Sequence, residues 1–526
     1  MRLVLFRQFV AACAVVCAFA PLAARADVSL PEIIGSNMVL QAGKPVTVWG
    51  WADAGEEVTV SVGDNKASTK ADAAGEWKVE LKPVAASDAV EMTVAGKNTI
   101  KLTNILVGEV WVGSGQSNMQ WSVKASADPD AEISAANFPK IRLFLVPLVP
   151  SGTPAQHIVP TGRAKNPVEG SWVECSPENV VNFSAVLYYF GRHLHKELNV
   201  PVGLIATSWG GTRIEPWIPP AGWASQPELA SDFETINRTN DTFNKQMLSH
   251  LKQLKSWVAA ADGASAAGKK LPPFPSVPGH PLNSNGTPTG LYNGMVHPIA
   301  PFAARGAIWY QGESNNGMGM AYHTLMKGLI AGWRSVWNNP ELSFYFVQLA
   351  PFKYGNNNGT NLAGIWEAQT ATLSVPHTGM AVTTDIGNVA DIHPKNKQEV
   401  GRRLALWALA KDYGKKDLVY SGPLFDSQTV ELDSMRIKFK HTGTGLKSLD
   451  GKALTWFTIA GEDKKFVPAT AKIEGDTVVV SSSKVITPVA VRFGFDQVAE
   501  PNLGNKEGLP ASPFRTDTWD LAPTGP

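Results

Sequence analysis

Two short stretches of this 526-residue chain hold residues whose types and spacing could do chemistry together. In Val107–Trp121 (VGEVWVGSGQSNMQW) an apolar run gives way to Gly113 and Gly115, and Ser117 follows at once. Such a run reads as a buried strand of a parallel sheet. A serine in a glycine-rich turn past its end is placed as an exposed nucleophile, because the small residues let the backbone turn sharply. The spacing is not G-x-S-x-G, and a serine capping a strand-to-helix turn is the plainer reading of this stretch alone. In Asp391-Ile392-His393-Pro394 a carboxylate stands two residues ahead of a histidine. In a tight turn it can accept the Nδ1–H bond, fix the tautomer and leave Nε2 facing the serine. The order Ser…Asp…His is one of those that support a triad, and the chemistry would be acyl transfer.

Acyl transfer also needs donors for a developing oxyanion. Two more apolar runs, Pro201–Trp209 and Gly306–Tyr310, end in Gly210-Gly211-Thr212 and in Gln311-Gly312-Glu313-Ser314-Asn315. The backbone N–H groups of Ser117 and Gly211 and a side-chain amide of Gln311 or Asn315 are the candidates. Glu313 could be an alternative acid or pin the turns by hydrogen bonds. Arg213 could bind a substrate carboxylate through bidentate bonds or brace the loop that holds Gly211. Trp121, Trp209, Trp217 and Trp309 lie on or beside these turns and offer faces on which sugar rings stack.

The elements that must position these residues alternate between strands and helices from Asn104 onward. Ile141–Val146, Leu342–Leu349 and Gly379–Thr384 are further strand-like runs, while Ser184–Leu198 and Gln398–Tyr413 have helical character. This predicts an α/β fold with an open parallel sheet, whose ligands sit outside the carboxyl ends of the strands. Four units are expected: a leader at 1–26, an N-terminal β-sandwich at 27–103, the α/β domain at 104–415, and a C-terminal β domain with a wrapping tail at 416–526. An insertion near 218–290 interrupts the α/β domain, helical over Pro227–Ala261 and then irregular over Gly263–Gly290, where a flap near the site is expected. In the sandwich, Trp49, Trp51 and Trp77 would suit either a core or sugar stacking.

Lys+Arg is 47 and Asp+Glu 46, a balance that argues against a nucleic-acid partner. Met1–Ala26 carries Arg2 and Arg7, a short apolar segment and Ala24-Arg25-Ala26, the pattern of a secretory signal peptide. A periplasmic or secreted protein follows, with no membrane association after cleavage. Cleavage would leave Cys175 as the one cysteine, hence no internal disulfide, and nothing local marks it as a nucleophile. No group of residues has metal-ligand spacing, so neither metal nor cofactor is expected.

The sequence resembles the sialate O-acetylesterase family of SGNH-type carbohydrate esterases. The resemblance rests on GQSNM (Gly115–Met119), SWGGT (Ser208–Thr212), LYNGMVHP (Leu291–Pro298), WYQGESN (Trp309–Asn315) and DIHP (Asp391–Pro394), and it runs on to GLPASPFRTD (Gly508–Asp517). It implies an SGNH-type parallel sheet with helices on both faces, and a metal-free serine esterase that removes O-acetyl groups from a carbohydrate. It implies Ser117 as nucleophile, His393 as base, and an oxyanion hole from Ser117, a glycine of Gly210-Gly211 and an amide of the QGESN turn. One departure matters. Many SGNH enzymes place the acid three residues before the histidine, where this chain has Ala390. Asp391 is the first candidate, Asp385 the alternative, and a backbone carbonyl could orient His393 with no acid. Sialic acid and hemicellulose-derived glycans are both open as substrates. The rival of another class is an inactive carbohydrate-binding protein on a hydrolase scaffold.

Overall fold

The strand Thr99–Gly115, 17 residues long, is the axis of the molecule. In the computed structural model, which describes residues 27–159, 168–355 and 359–521, this strand belongs to two units at once. Up to Asn104 its exposure varies along the chain, as in a sheet with one wet face; from Ile105 to Gly115 every residue is buried. The domain boundary expected at Asn104 is therefore a change of environment within one continuous strand. The expected leader, residues 1–26, lies outside the described residues.

The N-terminal part of the strand pairs antiparallel with Ser87–Ala95, which in turn pairs with Glu57–Val62. Asn65–Lys70 completes this sheet's hairpin, and Val46–Trp51 pairs with Glu76–Leu81 in a second sheet. Trp77 is buried in the core, Trp51 packs against His157 with ring centroids 4.1 Å apart and planes 35° apart, and both border a surface pocket together with Trp49.

The C-terminal part is the centre of the main sheet. The strand order is Thr378–Ala381, Ser343–Val347, Gly306–Tyr310, Thr99–Gly115, Val202–Ser208, Phe138–Leu145 and Val173–Cys175. The first six are parallel and the last is an antiparallel edge. Side-chain alternation sorts the covering helices onto two faces. On one face Trp111 meets Phe190 of helix Ala185–Leu198 and stacks near Tyr345, which lies against Trp407 of helix Lys397–Lys411. On the other, Phe344 meets Trp333 of helix Ala321–Val336, and Trp309 meets Trp217. The helices start where their caps allow: Ser184 Oγ accepts the Leu187 N–H at 3.2 Å, and Asn396 Oδ1 accepts the Glu399 N–H at 3.1 Å. Cys175 is buried against Ala136, and burial pushes its thiol pKa up to about 12.

The insertion's long helix is Ala230–Ala266, which starts three residues later and ends five residues later than expected. Its base packs near the sheet ends, where Ile236, Leu282 and Pro288 line a cleft beside Glu215. The C-terminal strands form three antiparallel sheets, of four, two and four strands, with their own apolar cluster, including Met435, Val478, Phe493 and Phe514. Thr470–Glu474 and Thr477–Ser481 pair as a hairpin, because Gly475 takes φ +61° and reverses the chain. The tail does return to the α/β unit: Ser512 bonds Gln348 and Arg515 pairs with Glu367 at 2.9 Å.

Gly115 shows how tightly the strand end is built. It has φ +137°, and a Cβ there would stand 2.2 Å from the Tyr310 carbonyl oxygen. Gly211 has φ +75° but open space around its Cβ position. Gly115→Ala is therefore expected to cost about 3 kcal/mol or more, as a backbone clash in a packed core does, and Gly211→Ala about 1–2 kcal/mol, the left-handed penalty alone. Denaturant unfolding of the two variants checks the order.

Candidate active site

Three turns leave the sheet at one level, because Ser208 and Tyr310 are both register partners of Gly115. Gln116 ties two of them. Its N–H donates to Tyr310 O at 3.0 Å, and its Oε1 accepts from the Ser314 N–H at 3.3 Å. Ser117 then opens the short helix Ser117–Gln120, whose Gln120 Oε1 accepts the Gly210 N–H at 2.8 Å. A Cβ on Gly210 would lie 3.3 Å from that of Ser117, so the third turn rests against the serine.

His393 reaches Ser117 from a loop 276 residues away in sequence, and Nε2 stands 2.9 Å from Oγ. Three contacts set that pose. Trp121 stacks on the imidazole with centroids 4.4 Å apart and planes 13° apart. Asn118 Nδ2 donates to the Ile392 carbonyl at 2.9 Å, next to the histidine. Asp391 Oδ1 accepts the His393 backbone N–H at 2.9 Å. This last bond differs from the expectation: the carboxylate shapes the turn by holding the main chain, and among the described residues it accepts no hydrogen bond from the imidazole. A two-residue spacing favours that local bond, which closes a small turn with little strain. Burial, aided by the charge of Lys397 and opposed by Asp391, holds the His393 pKa below its usual value.

Asp385, the alternative acid, is taken. Both its oxygens accept from Arg403, at 2.6 and 2.7 Å, and Arg403 also bonds Glu399 at 2.8 Å. A buried guanidinium needs such partners, and it claims both oxygens of the carboxylate.

The expected oxyanion donors divide. Gln311 Nε2 donates to Asn315 Oδ1 at 2.7 Å and to Thr212 O, while its Oε1 accepts from the Tyr322 hydroxyl. Asn315 Nδ2 donates to Glu215 at 3.0 Å, and Oδ1 also accepts the Ile214 N–H. Both amides are fully buried and committed to bracing, so neither is a free donor. Among the described residues no hydrogen bond occupies the N–H groups of Ser117 or Gly211.

The remaining candidates are also placed. Arg213 is half-exposed and bonds Glu215 Oε1 through Nε and Nη2, at 3.0 and 2.6 Å, which neutralises its charge locally. Trp209 is partly exposed beside the serine turn, whereas Trp217 and Trp309 are core residues that cannot meet a substrate. Glu313, a substrate-binding candidate, is buried below the site, where Oε1 accepts from Asn118 at 2.5 Å and Oε2 has no partner among the described residues. Burial raises its pKa. Sequence reasoning missed Asn118, Lys397 and the stacking role of Trp121. The signal was adjacency: Asn118 follows Ser117, and Lys397 stands four residues after His393. Among the described residues no three His, Cys, Asp or Glu side chains could hold a metal ion together.

Comparison with known proteins adds three findings. The family described as carbohydrate esterase, sialic acid-specific acetylesterase, matches residues 242–410, a span that holds His393. Sialate O-acetylesterases are similar over much of the chain: that of Rattus norvegicus is 30% identical, covering 74% of this chain and 74% of its own length. That of Homo sapiens is 29% identical, covering 93% and 92%. Among solved structures, a carbohydrate acetylesterase from Xanthomonas citri superposes with a TM-score of 0.78 at 36% identity, covering 94% of this chain and 100% of its own.

The two aspartates should separate in stability. Asp385→Ala removes two of the hydrogen bonds of the buried Arg403, leaving it Glu399 as acidic partner, and is expected to cost about 3 kcal/mol. Asp391→Asn keeps an acceptor for the His393 N–H and should cost under about 1 kcal/mol. Thermal or urea unfolding reads both.

Proposed function

Since this chain belongs to the sialate O-acetylesterase family and is a carbohydrate O-acetylesterase, we propose that Ser117 and His393 perform the deacetylation as a nucleophile–base pair. The observation that carries this reading is the 2.9 Å Oγ–Nε2 hydrogen bond, held by the stacked Trp121. Ser117 Oγ attacks the acetyl carbonyl while Nε2 takes its proton. The tetrahedral oxyanion is met by the N–H groups of Ser117 and Gly211. On collapse the C–O bond to the sugar breaks and His393 returns the proton to the leaving sugar oxygen. Water, activated by the same histidine, then frees acetate and restores Ser117. Asp391 supports the loop and stabilises the imidazolium from a distance, so the working unit is a dyad in which the aspartate acts on main chain. With residues 1–26 as a secretory signal, the enzyme works in the periplasm or outside the cell.

The substrate we favour is an O-acetylated neutral or mixed glycan of hemicellulose type. Support comes from Arg213, whose guanidinium is already paired with Glu215 and is a poor receptor for a sialic acid carboxylate.

Ser117→Ala and His393→Ala should each lower kcat for 4-nitrophenyl acetate by about a thousandfold or more, and Asp391→Asn by less than about tenfold. The base must be neutral to act. Because the His393 pKa is lowered from 6.5, kcat/KM should fall with acid only below pH 6.5. Activity of Ser117→Ala within tenfold of wild type would remove the serine from the reaction.

Substrate choice has its own test. Arg213→Ala should change kcat/KM for acetylated sialic acid and for an acetylated xylo-oligosaccharide by the same factor, through the loop that holds Gly211. A rise in KM confined to the sialic acid would assign Arg213 to anion binding instead.

A further inference from the structure

A lysine that reaches no solvent lies beneath the Ser117–His393 contact. Lys397 is the first residue of helix Lys397–Lys411 and is fully buried. Its Nζ donates to Asn118 Oδ1 at 2.5 Å and stands 5.3 Å from the centroid of the Tyr310 ring. Asn118 passes the contact on, with Nδ2 donating to Glu313 Oε1 and to the Ile392 carbonyl. Burying an ammonium is costly, and an apolar side chain of similar volume often serves packing as well or better. The site thus spends stability on a charge that packing alone does not need.

We propose that Lys397 is a positioning residue for His393: it locks Asn118 so that the Ile392 carbonyl seats the imidazole on Ser117, and it sets a positive charge that keeps the imidazole an unprotonated base. The proposal rests on the reading of Ser117 and His393 as nucleophile and base.

The groups facing Lys397 are Asn118 from the serine turn, Tyr310 and Glu313 from the neighbouring strand end and turn, and Asp391 from its own loop. Those facing His393 are Ser117, Trp121, Asp391 and Lys397. Tyr310 stays neutral, since burial holds its phenol above the usual range. Burial brings the Lys397 pKa down to about 7, with Glu313 and Asp391 pulling it up. Below pH 7, where an imidazole titrates, the lysine therefore carries its charge. That charge opposes a second one on His393, while Asp391 favours it. Removing Lys397 must then raise the His393 pKa.

The test is an NMR titration of the labelled histidines in wild type, Lys397→Met and Lys397→Arg, beside pH profiles on 4-nitrophenyl acetate. His393 is assigned by its loss in His393→Ala, and folding is checked by near-ultraviolet circular dichroism. Wild-type His393 should titrate below 6.5. In Lys397→Met its midpoint and the acid limb of kcat/KM should both rise by about half a unit or more. Its kcat should fall about 10- to 100-fold, as a misplaced base does, with KM within about twofold. Lys397→Arg, which keeps a charge and donors, should move both readouts back toward wild type. A purely structural lysine would lower the melting temperature and leave the His393 midpoint in place, and that result overturns the proposal. Should Lys397→Met not fold, the wild-type midpoint decides, and a value at or above 6.5 overturns it. Ser117→Ala separates the two readings: if that variant stays active the esterase assignment fails, while the His393 midpoint still judges the role of Lys397.

Discussion

The carboxamide of Asn118 is the joint on which the site depends. It is buried, so each of its polar atoms must find a partner inside the protein. Oδ1 accepts from Lys397, and the two Nδ2 hydrogens go to Glu313 and to the Ile392 carbonyl. These partners stand 195 to 279 residues away in sequence. One amide thereby holds the serine turn, the QGESN turn and the histidine loop in a single arrangement. The cost of leaving any one bond unmade in a dry interior is what makes the arrangement unique.

A second bracing network has the same logic. Arg213, Glu215, Asn315, Gln311 and Tyr322 form a chain of hydrogen bonds that keeps the SWGGT turn against the QGESN turn. The side-chain amides of Gln311 and Asn315 hold these two turns together.

The aromatic residues divide by depth. Trp121 stacks its face on the imidazole of His393. Trp217, Trp309 and Trp333 fill the space between sheet and helices on one face, and Trp111 and Trp407 do so on the other. Large rings of this kind contribute mainly area removed from water, and their edges lock the sheet to its cover. Trp209 is left as the partly exposed ring beside Ser117.

The amino-acid sequence by itself determined the strand ends, and with them the level of the site. Apolar runs such as GAIWY over Gly306–Tyr310 stop where glycine and polar residues begin, and both signals are local. Gly115 and Ser117 were legible for the same reason: a backbone at positive φ and a hydroxyl past a strand end are features of a few consecutive residues. His393 was legible through its place in a turn before a helix. Tertiary structure alone decided which carboxylate serves which partner. Asp391 and Asp385 look alike in sequence, yet one holds main chain and the other is claimed by Arg403, 18 residues on. It also decided that Gln311 and Asn315 brace rather than donate, and that Lys397 lies under the histidine. Hydrogen bonds of buried polar groups are settled by whichever partners the packed core brings within about 3 Å, and no pattern along the chain records that distance.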